Sequence, residues 1–205
     1  MHRKAIVHLR RVDPVLGSVI ERVGSCRLRP DPTGTHFEFL TRSIVYQQLS
    51  GKAAATIFGR VVTACGGRPI TPARVARVPD EALRAAGLSR QKLGYLRDLV
   101  TLARARKLRL AAIDEMSDDE IASQLTQVKG VGIWTAQMFL MFRLGRPDVF
   151  PVTDLGIRKG VQVAYGLRAL PAPERVARIG ARWAPHRTVA SWYLWRLLDL
   201  EVLAA

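Results

Sequence analysis

The residues best suited to chemistry in this 205-residue chain lie in two short stretches. In the first, Leu125-Thr126-Gln127-Val128-Lys129-Gly130-Val131-Gly132-Ile133-Trp134-Thr135-Ala136, two glycines separated by one small apolar residue permit a tight reversal between helices. The second helix then begins with unpaired N–H groups, which suit a phosphate oxygen. Such a hairpin holds a nucleic-acid backbone without reading bases. Taken alone, Gly-x-Gly marks an ordinary turn. Here a capped amphipathic helix precedes it and an apolar helix follows, which favours the phosphate reading. In the second stretch, Phe150-Pro151-Val152-Thr153-Asp154-Leu155-Gly156-Ile157-Arg158-Lys159, a lone carboxylate stands at a helix start, where an isolated Asp is by default an N-cap.

Helices must position both stretches, because strand signals are sparse. After an N-terminal segment to about Pro30, the recurrence of Phe37, Leu40, Ile44 and Val45 predicts a helix over His36–Gln48. Ser50 caps a following helix that runs to about Ala64 and stops at Gly66-Gly67. Short helices are expected after Pro72 and Pro79, and a longer one over Ser89–Lys107. Ser117-Asp118-Asp119-Glu120 has capping-box spacing and opens a helix ending near Gln127. Ile133–Leu144 is apolar on nearly every side and reads as a central buried helix, ended by Gly145 and Pro147. Further helices follow from about Asp154, after Pro173 and after Pro185. The chain reads as all-α, without tandem repeat or low-complexity linker.

Lys and Arg number 32 against 17 Asp and Glu, a formal charge of +15 spread along the whole chain. With 48% hydrophobic residues the chain can bury a core, so the surplus belongs to a folded domain with a positive face. Nucleic acid is the natural partner of such a face. A compositional origin stands beside this, since 26 of the basic residues are Arg. The longest stretch free of Asp, Glu, Lys and Arg, Gly130–Phe142, has 13 residues, against the roughly 20 that a spanning helix needs, so no membrane role is expected. The first ten residues hold no apolar run of signal-peptide length. Cys26 and Cys65 are too few for a four-thiolate cluster, and His2, His8, His36 and His186 show no metal-ligand spacing. Idle thiols fit a reducing, cytoplasmic setting, nucleoid-associated in a bacterium.

Hairpin, buried helix, Gly/Pro-containing loop and lone Asp, in that order, resemble the helix–hairpin–helix (HhH-GPD) DNA glycosylase superfamily of base-excision repair. Within it the chain is most similar to the DNA-3-methyladenine glycosylase II (AlkA-type) branch, over about Leu40 to Leu198. Tyr46-Gln47-Gln48-Leu49-Ser50 with Lys52-Ala53-Ala54, Gly87-Leu88-Ser89 with Lys92 and Tyr95-Leu96, and Trp183-Ala184-Pro185-His186-Arg187 with Trp195 also carry the resemblance.

The resemblance implies two helical lobes with a cleft between them, a barrel lobe at 41–147 bearing the hairpin and a second lobe from 1–40 plus 148–205. The additional N-terminal sheet domain of type II relatives is not expected, with only about 35 residues before the first matching helix. Asp154 matches the catalytic aspartate, and a carboxylate there would stabilise positive charge developing on the sugar as the base leaves. Many relatives carry Asp-Asp where this chain has Thr153-Asp154. Relatives that form a Schiff base place a Lys where this chain has Trp134, so a monofunctional enzyme leaving an abasic site is implied. Trp134 and Trp195 match pocket positions for a cationic purine, while Met138 and Leu155 stand where a relative has aromatic rings.

Gln48 corresponds best to the residue that fills the gap left by the flipped base, with Leu49 next. Ser50, Lys52, Gly130, Val131, Gly132 and Thr135 fall in DNA-contacting segments, and Lys52, Arg90 and Lys92 are phosphate candidates. No cofactor is required, although the carbonyls of Thr126, Val128 and Val131 correspond to a structural site for a monovalent cation, Na or K. The expected substrate is double-stranded DNA carrying alkylated purines of the 3-methyladenine type, bound by a monomer. Two other readings remain open at this stage: a glycosylase for oxidised, deaminated or mismatched bases, and a non-enzymatic helix–hairpin–helix DNA-binding module.

Overall fold

Ser, Thr, Asp and Pro punctuate the sequence, and in the structure, a computed structural model that describes residues 2–204, they open its helices. Among the described residues there are twelve α-helices and no strand, so the all-α expectation holds. The helices are α1 (Arg3–Val12), α2 (Pro14–Val23), α3 (His36–Tyr46), α4 (Gly51–Ala64), α5 (Pro72–Arg77), α6 (Asp80–Ala85), α7 (Arg90–Arg104), α8 (Asp118–Leu125), α9 (Ile133–Phe142), α10 (Leu155–Ala164), α11 (Pro173–Gly180) and α12 (Arg187–Ala204). The side chains of Asp13, Thr35, Thr71, Ser89, Ser117 and Asp154 each accept a backbone N–H in the first turn they precede. Those bonds satisfy donors that the helix itself leaves unpaired. The capping box of Ser117 and Glu120 is complete, and the Ser117 donors hold the Glu120 carboxyl below the usual carboxylate range. The N-terminal segment, unassigned from sequence, forms α1 and α2. Among the described residues no helix is long and apolar enough to cross a membrane.

The chain divides into two units, 31–139 and 1–30 together with 140–205. These limits differ from the expected 41 and 147. Residues 31–40 belong with the first unit because Glu38, buried at the start of α3, accepts the Ile70 N–H at 3.0 Å and pairs with Arg68 at 3.1 Å. His36 and Phe39 also set their rings against Phe139. Residues 140–147 belong with the second unit: Gly145 lies against Pro30, and the carbonyls of Arg146 and Pro147 are bonded by Thr188.

In the 31–139 unit, Leu40, Ile44, Val61, Leu83, Leu96, Leu99, Ile121 and Phe139 are fully buried. Arg97 of α7 secures the α5–α6 connection, donating to the carbonyls of Val75 and Val78 and to Asp80. Cys65 is buried here, and burial raises its thiol pKa, as it does that of Cys26 in the other unit.

The other unit packs α1, α2, α10 and α12 around Leu9, Leu16, Ile20, Ile157, Val161, Trp183, Tyr193 and Leu194. Buried Asp13 binds them from within. Its Oδ1 accepts the Leu16 N–H at 3.1 Å, and its Oδ2 accepts the Trp183 indole N–H at 2.8 Å and the Tyr165 hydroxyl. Burial, then the hydrogen bond to Asp13 and the Asp13 charge, push the Tyr165 phenol far above its ordinary pKa, which keeps it a donor. Asp148 ties the loop after α9 to the start of α12, accepting from Arg187 Nε and a terminal guanidinium nitrogen, each at 2.8 Å, and from the Arg187 backbone N–H at 3.2 Å. Thr188 adds a second clasp by accepting the Val149 N–H at 2.9 Å.

Burial alone would raise the Asp148 pKa, but the three Arg187 donors outweigh it and the carboxyl titrates below its ordinary value of 3.8. The stability it contributes is therefore complete above that ordinary value and is lost as the pH falls through the lower folded one. Asp148→Asn is expected to cost about 1–3 kcal/mol at neutral pH and to flatten the loss of stability between about pH 5 and about pH 3. Urea midpoints across that range for both proteins test it; parallel curves would remove Asp148 from the acid transition.

Candidate functional site

Asp154 owes its setting to two missing side chains on α10. A Cβ at Gly160 would lie 2.8 Å from the Leu194 carbonyl oxygen of α12. One turn earlier, a Cβ at Gly156 would lie 2.8 Å from the Trp195 ring and 3.0 Å from Asp154 Oδ1. With neither present, α10 lies close enough to α12 for the Trp195 indole N–H to reach Asp154 Oδ1 at 2.9 Å. The Ile157 N–H donates to the same oxygen at 2.8 Å. Asp154 is thus the N-cap that its position foretold, and the two donors also fix the rotation of its half-buried carboxylate. Such a group can face a developing cation without reorganising.

Trp195, expected in a base pocket, here spends its N–H on Asp154 while its ring lies 5.9 Å from that of Phe142. Leu155, the first residue of α10, is 52% exposed. Sequence reasoning missed Gly156. Its spacing of two residues from Asp154 and four from Gly160 on one helix was visible, but its meaning depends on α12.

The hairpin lies in the 31–139 unit, between α8 and α9. The Val131 N–H donates to Val128 O at 3.0 Å to close the turn, and Asp98 accepts the Lys129 N–H at 2.8 Å. Gly130 has φ of +77°, and a Cβ there would lie 2.2 Å from the Tyr95 ring. Gly132 carries neither constraint: its φ is not positive and nothing lies within 4 Å of an added Cβ. The two glycines, equivalent in sequence, therefore differ in what they require. Thr126 caps α8, with its hydroxyl donating to Ala122 O at 2.8 Å. Among the described residues no His, Cys, Asp and Glu cluster could hold a metal ion.

Beyond the hairpin, α9 exposes Trp134 by 48% while burying Thr135 and Ala136. Trp134, Thr135 and Met138 share a hollow of about 440 Å³ with Ser43, Tyr46, Gln47 and Gln48. That volume falls in the range of small-molecule sites, and two of its walls are electron-rich rings. Ser43, Tyr46 and Gln47 were not expected there, although Ser43 and Tyr46 are one turn apart on α3 and Gln47 follows directly at its end.

The α3–α4 turn carries the expected gap-filling residues. Gln48 is exposed with φ of +55°, and Leu49 is 39% exposed. Ser50 occupies the N-cap position of α4 without a side-chain cap bond, and Lys52 is exposed in the first turn. Lys92 makes contacts that its place in the sequence does not announce. Its ammonium donates to Val45 O at 2.7 Å and Gln47 O at 2.6 Å, because those end-of-helix carbonyls lack partners within α3.

Residues 41–186 match the model for HhH-GPD superfamily base excision DNA repair proteins. An alkylbase DNA glycosidase-like protein of Schizosaccharomyces pombe is 30% identical over 98% of this chain and 95% of its own length. DNA-3-methyladenine glycosylase 1 of the same organism is 34% identical over 96% and 88%. Among solved structures, a DNA-3-methyladenine glycosidase from Bacillus halodurans superposes with a TM-score of 0.87 at 36% identity, covering 97% of this chain and 91% of that one. The S. pombe 3-methyladenine DNA glycosylase in complex with abasic DNA gives 0.80 at 34%, covering 94% and 95%.

The contrast between the hairpin glycines yields a direct test. Gly130→Ala forces both a left-handed alanine and a clash with Tyr95, and is expected to cost about 2–4 kcal/mol. Gly132→Ala loses only a preferred N-terminal residue, at under about 1 kcal/mol. Urea denaturation of the two variants measures the difference; equal losses would contradict this account of the turn.

Proposed function

The chain belongs to the HhH-GPD superfamily of base excision DNA repair proteins, and from that premise we propose how it acts on DNA. It is a DNA glycosylase of the 3-methyladenine type. The observation that carries the mechanism is the single Asp154 oxygen held by two N–H donors. As the bond between C1′ and the purine nitrogen breaks, the bonding pair leaves with the base and positive charge builds on the sugar. An oriented carboxylate stabilises that charge more in the transition state than in the ground state. Water then adds its oxygen to C1′ and passes a proton to the carboxylate, and an abasic site remains. A base alkylated to a cation leaves as a neutral molecule, so it needs little general-acid help.

The hollow beside Trp134 and Tyr46 is the candidate receptor for the extruded base, since ring faces attract a cationic purine. Met138 in that hollow makes it less aromatic than two rings more would, which favours fit over stacking as the basis of selectivity. The exposed turn at Gln48 and Leu49 fills the gap in the duplex, while Ser50, Lys52 and the N–H groups at the start of α9 hold phosphates. The carbonyls of Thr126, Val128 and Val131 are oxygen donors of the kind that a monovalent cation takes, and Val128 keeps a lone pair beside the bond from Val131. The protein acts as a monomer on double-stranded DNA with a damaged base.

Asp154→Asn keeps an N-cap acceptor and removes the charge. It is expected to bind abasic duplex normally while base release from methylated DNA falls by about 100-fold or more. Full release by this variant would overturn the mechanism. The indole of Trp134 offers no amine at the position after the hairpin, so borohydride is expected to trap no covalent protein–DNA adduct. A trapped band on a denaturing gel would contradict the monofunctional assignment.

A further inference from the structure

The α3–α4 turn holds a backbone conformation that its own sequence does not favour. Gln48 is neither glycine nor asparagine, yet its φ is +55°, a left-handed region that side-chain sterics disfavour for an ordinary residue. Within the turn the Leu49 N–H donates to Tyr46 O at 3.3 Å, a long bond. The stronger restraints come from outside it. Gln47 Nε2 donates to the Gly130 carbonyl at 2.7 Å, linking the turn to the hairpin. Lys92 Nζ donates to both Val45 O and Gln47 O, gripping the chain on either side of Tyr46. Lys92 is in turn placed by the start of α7, where Ser89 caps the Lys92 N–H at 3.2 Å.

We propose that Lys92 is the positioning residue of this turn, a cationic clasp on the end of α3 that keeps Gln48 left-handed and projecting. The inference rests on the reading of Gln48 as the gap-filling residue and deepens it. A phosphate contact, the role that residue type alone indicates, is the competing assignment. Three features favour the clasp. Two of the three ammonium donors are spent on carbonyls, and among the described residues no carboxylate pairs with it. A cation at a helix C-terminus is favoured by the helix dipole as well as by the bonds. Partial burial lowers the Lys92 pKa, which marks a group drawn out of solvent toward the turn.

Lys92→Met keeps the aliphatic stem and removes the donors. In the free protein, exchange of the Leu49 amide hydrogen is expected to accelerate about tenfold while core amides of α7 are unchanged. Affinity for a duplex with an abasic-site analogue is expected to fall about tenfold, with affinity for undamaged duplex within about twofold of the parent. Lys92→Met combined with Gln48→Ala should bind abasic duplex no more weakly than Gln48→Ala alone, because both changes remove one device. Unchanged Leu49 protection overturns the proposal. So does an equal loss on both duplexes with a salt slope smaller by about 0.9, the signature of a lost phosphate contact. If Gln48→Ala kept full abasic affinity, the gap-filling reading would fail, and the Leu49 exchange rate would still decide whether Lys92 positions the turn. Should Lys92→Met not fold, the same comparisons with Lys92→Gln decide the matter.

Discussion

The close approach of α10 to α12 is the constraint on which the placement of Asp154 depends. It exists because Gly156 and Gly160 present no side chain to α12. A helix pays for glycine in conformational freedom, about 1 kcal/mol per residue relative to alanine. Here that cost places the first turn of α10 where the Trp195 indole can reach its N-cap carboxylate. The bond between Trp195 and Asp154 is therefore a consequence of backbone proximity, and any side chain at Gly156 would occupy the space of the indole itself. Fixing the start of α12 matters for the same reason. Asp148, Arg187 and Thr188 pin that start to the loop that leads into Asp154, so carboxylate and indole hang from one braced frame.

N-cap carboxylates recur in this chain with different second tasks. Asp13 caps α2 and also gathers Trp183 and Tyr165 in the core. Asp154 caps α10 and also holds the Trp195 N–H at the edge of the core, where it stays half-exposed. The difference in burial separates their functions. A fully enclosed carboxylate with three donors is spent on stability, because losing a partner would strand a buried charge. A partly exposed one at a braced helix start keeps access to solvent, as the catalytic role proposed for it requires.

Legibility in the sequence followed the range of the interaction. The capping box at Ser117, the hairpin reversal and the lone Asp154 could be read because each depends on neighbours within four residues. The helix pair α1 and α2 could also have been read, since Asp13-Pro14 followed by Leu16, Val19 and Ile20 is a capped amphipathic start. What could not be read were the long-range partners. The sequence offers Lys92 as a phosphate candidate and Trp195 as a pocket residue, but it shows neither the end of α3 to which Lys92 donates nor the Asp154 oxygen that takes the Trp195 N–H. The two hairpin glycines are identical letters, yet only Gly130 meets Tyr95. The lobe limits were displaced for a similar reason, since Glu38 and Gly145 declare their allegiance only through Ile70 and Pro30.

The charge of +15 takes a different meaning once its bonds are known. Arg74 donates to the carbonyls of Gly67 and Pro69, Arg84 to Leu88 and Arg158 to Pro171. These guanidiniums close loops onto helices, a structural task that planar five-donor groups perform well. A carboxylate partner would cancel the charge, whereas a carbonyl satisfies the donors and leaves the charge standing. Structural arginines of this kind therefore add to the positive field while their donors are held by backbone carbonyls. Local stability and long-range attraction to DNA do not compete for the same residues, and a basic surplus spread along the whole chain is what that economy leaves in the sequence.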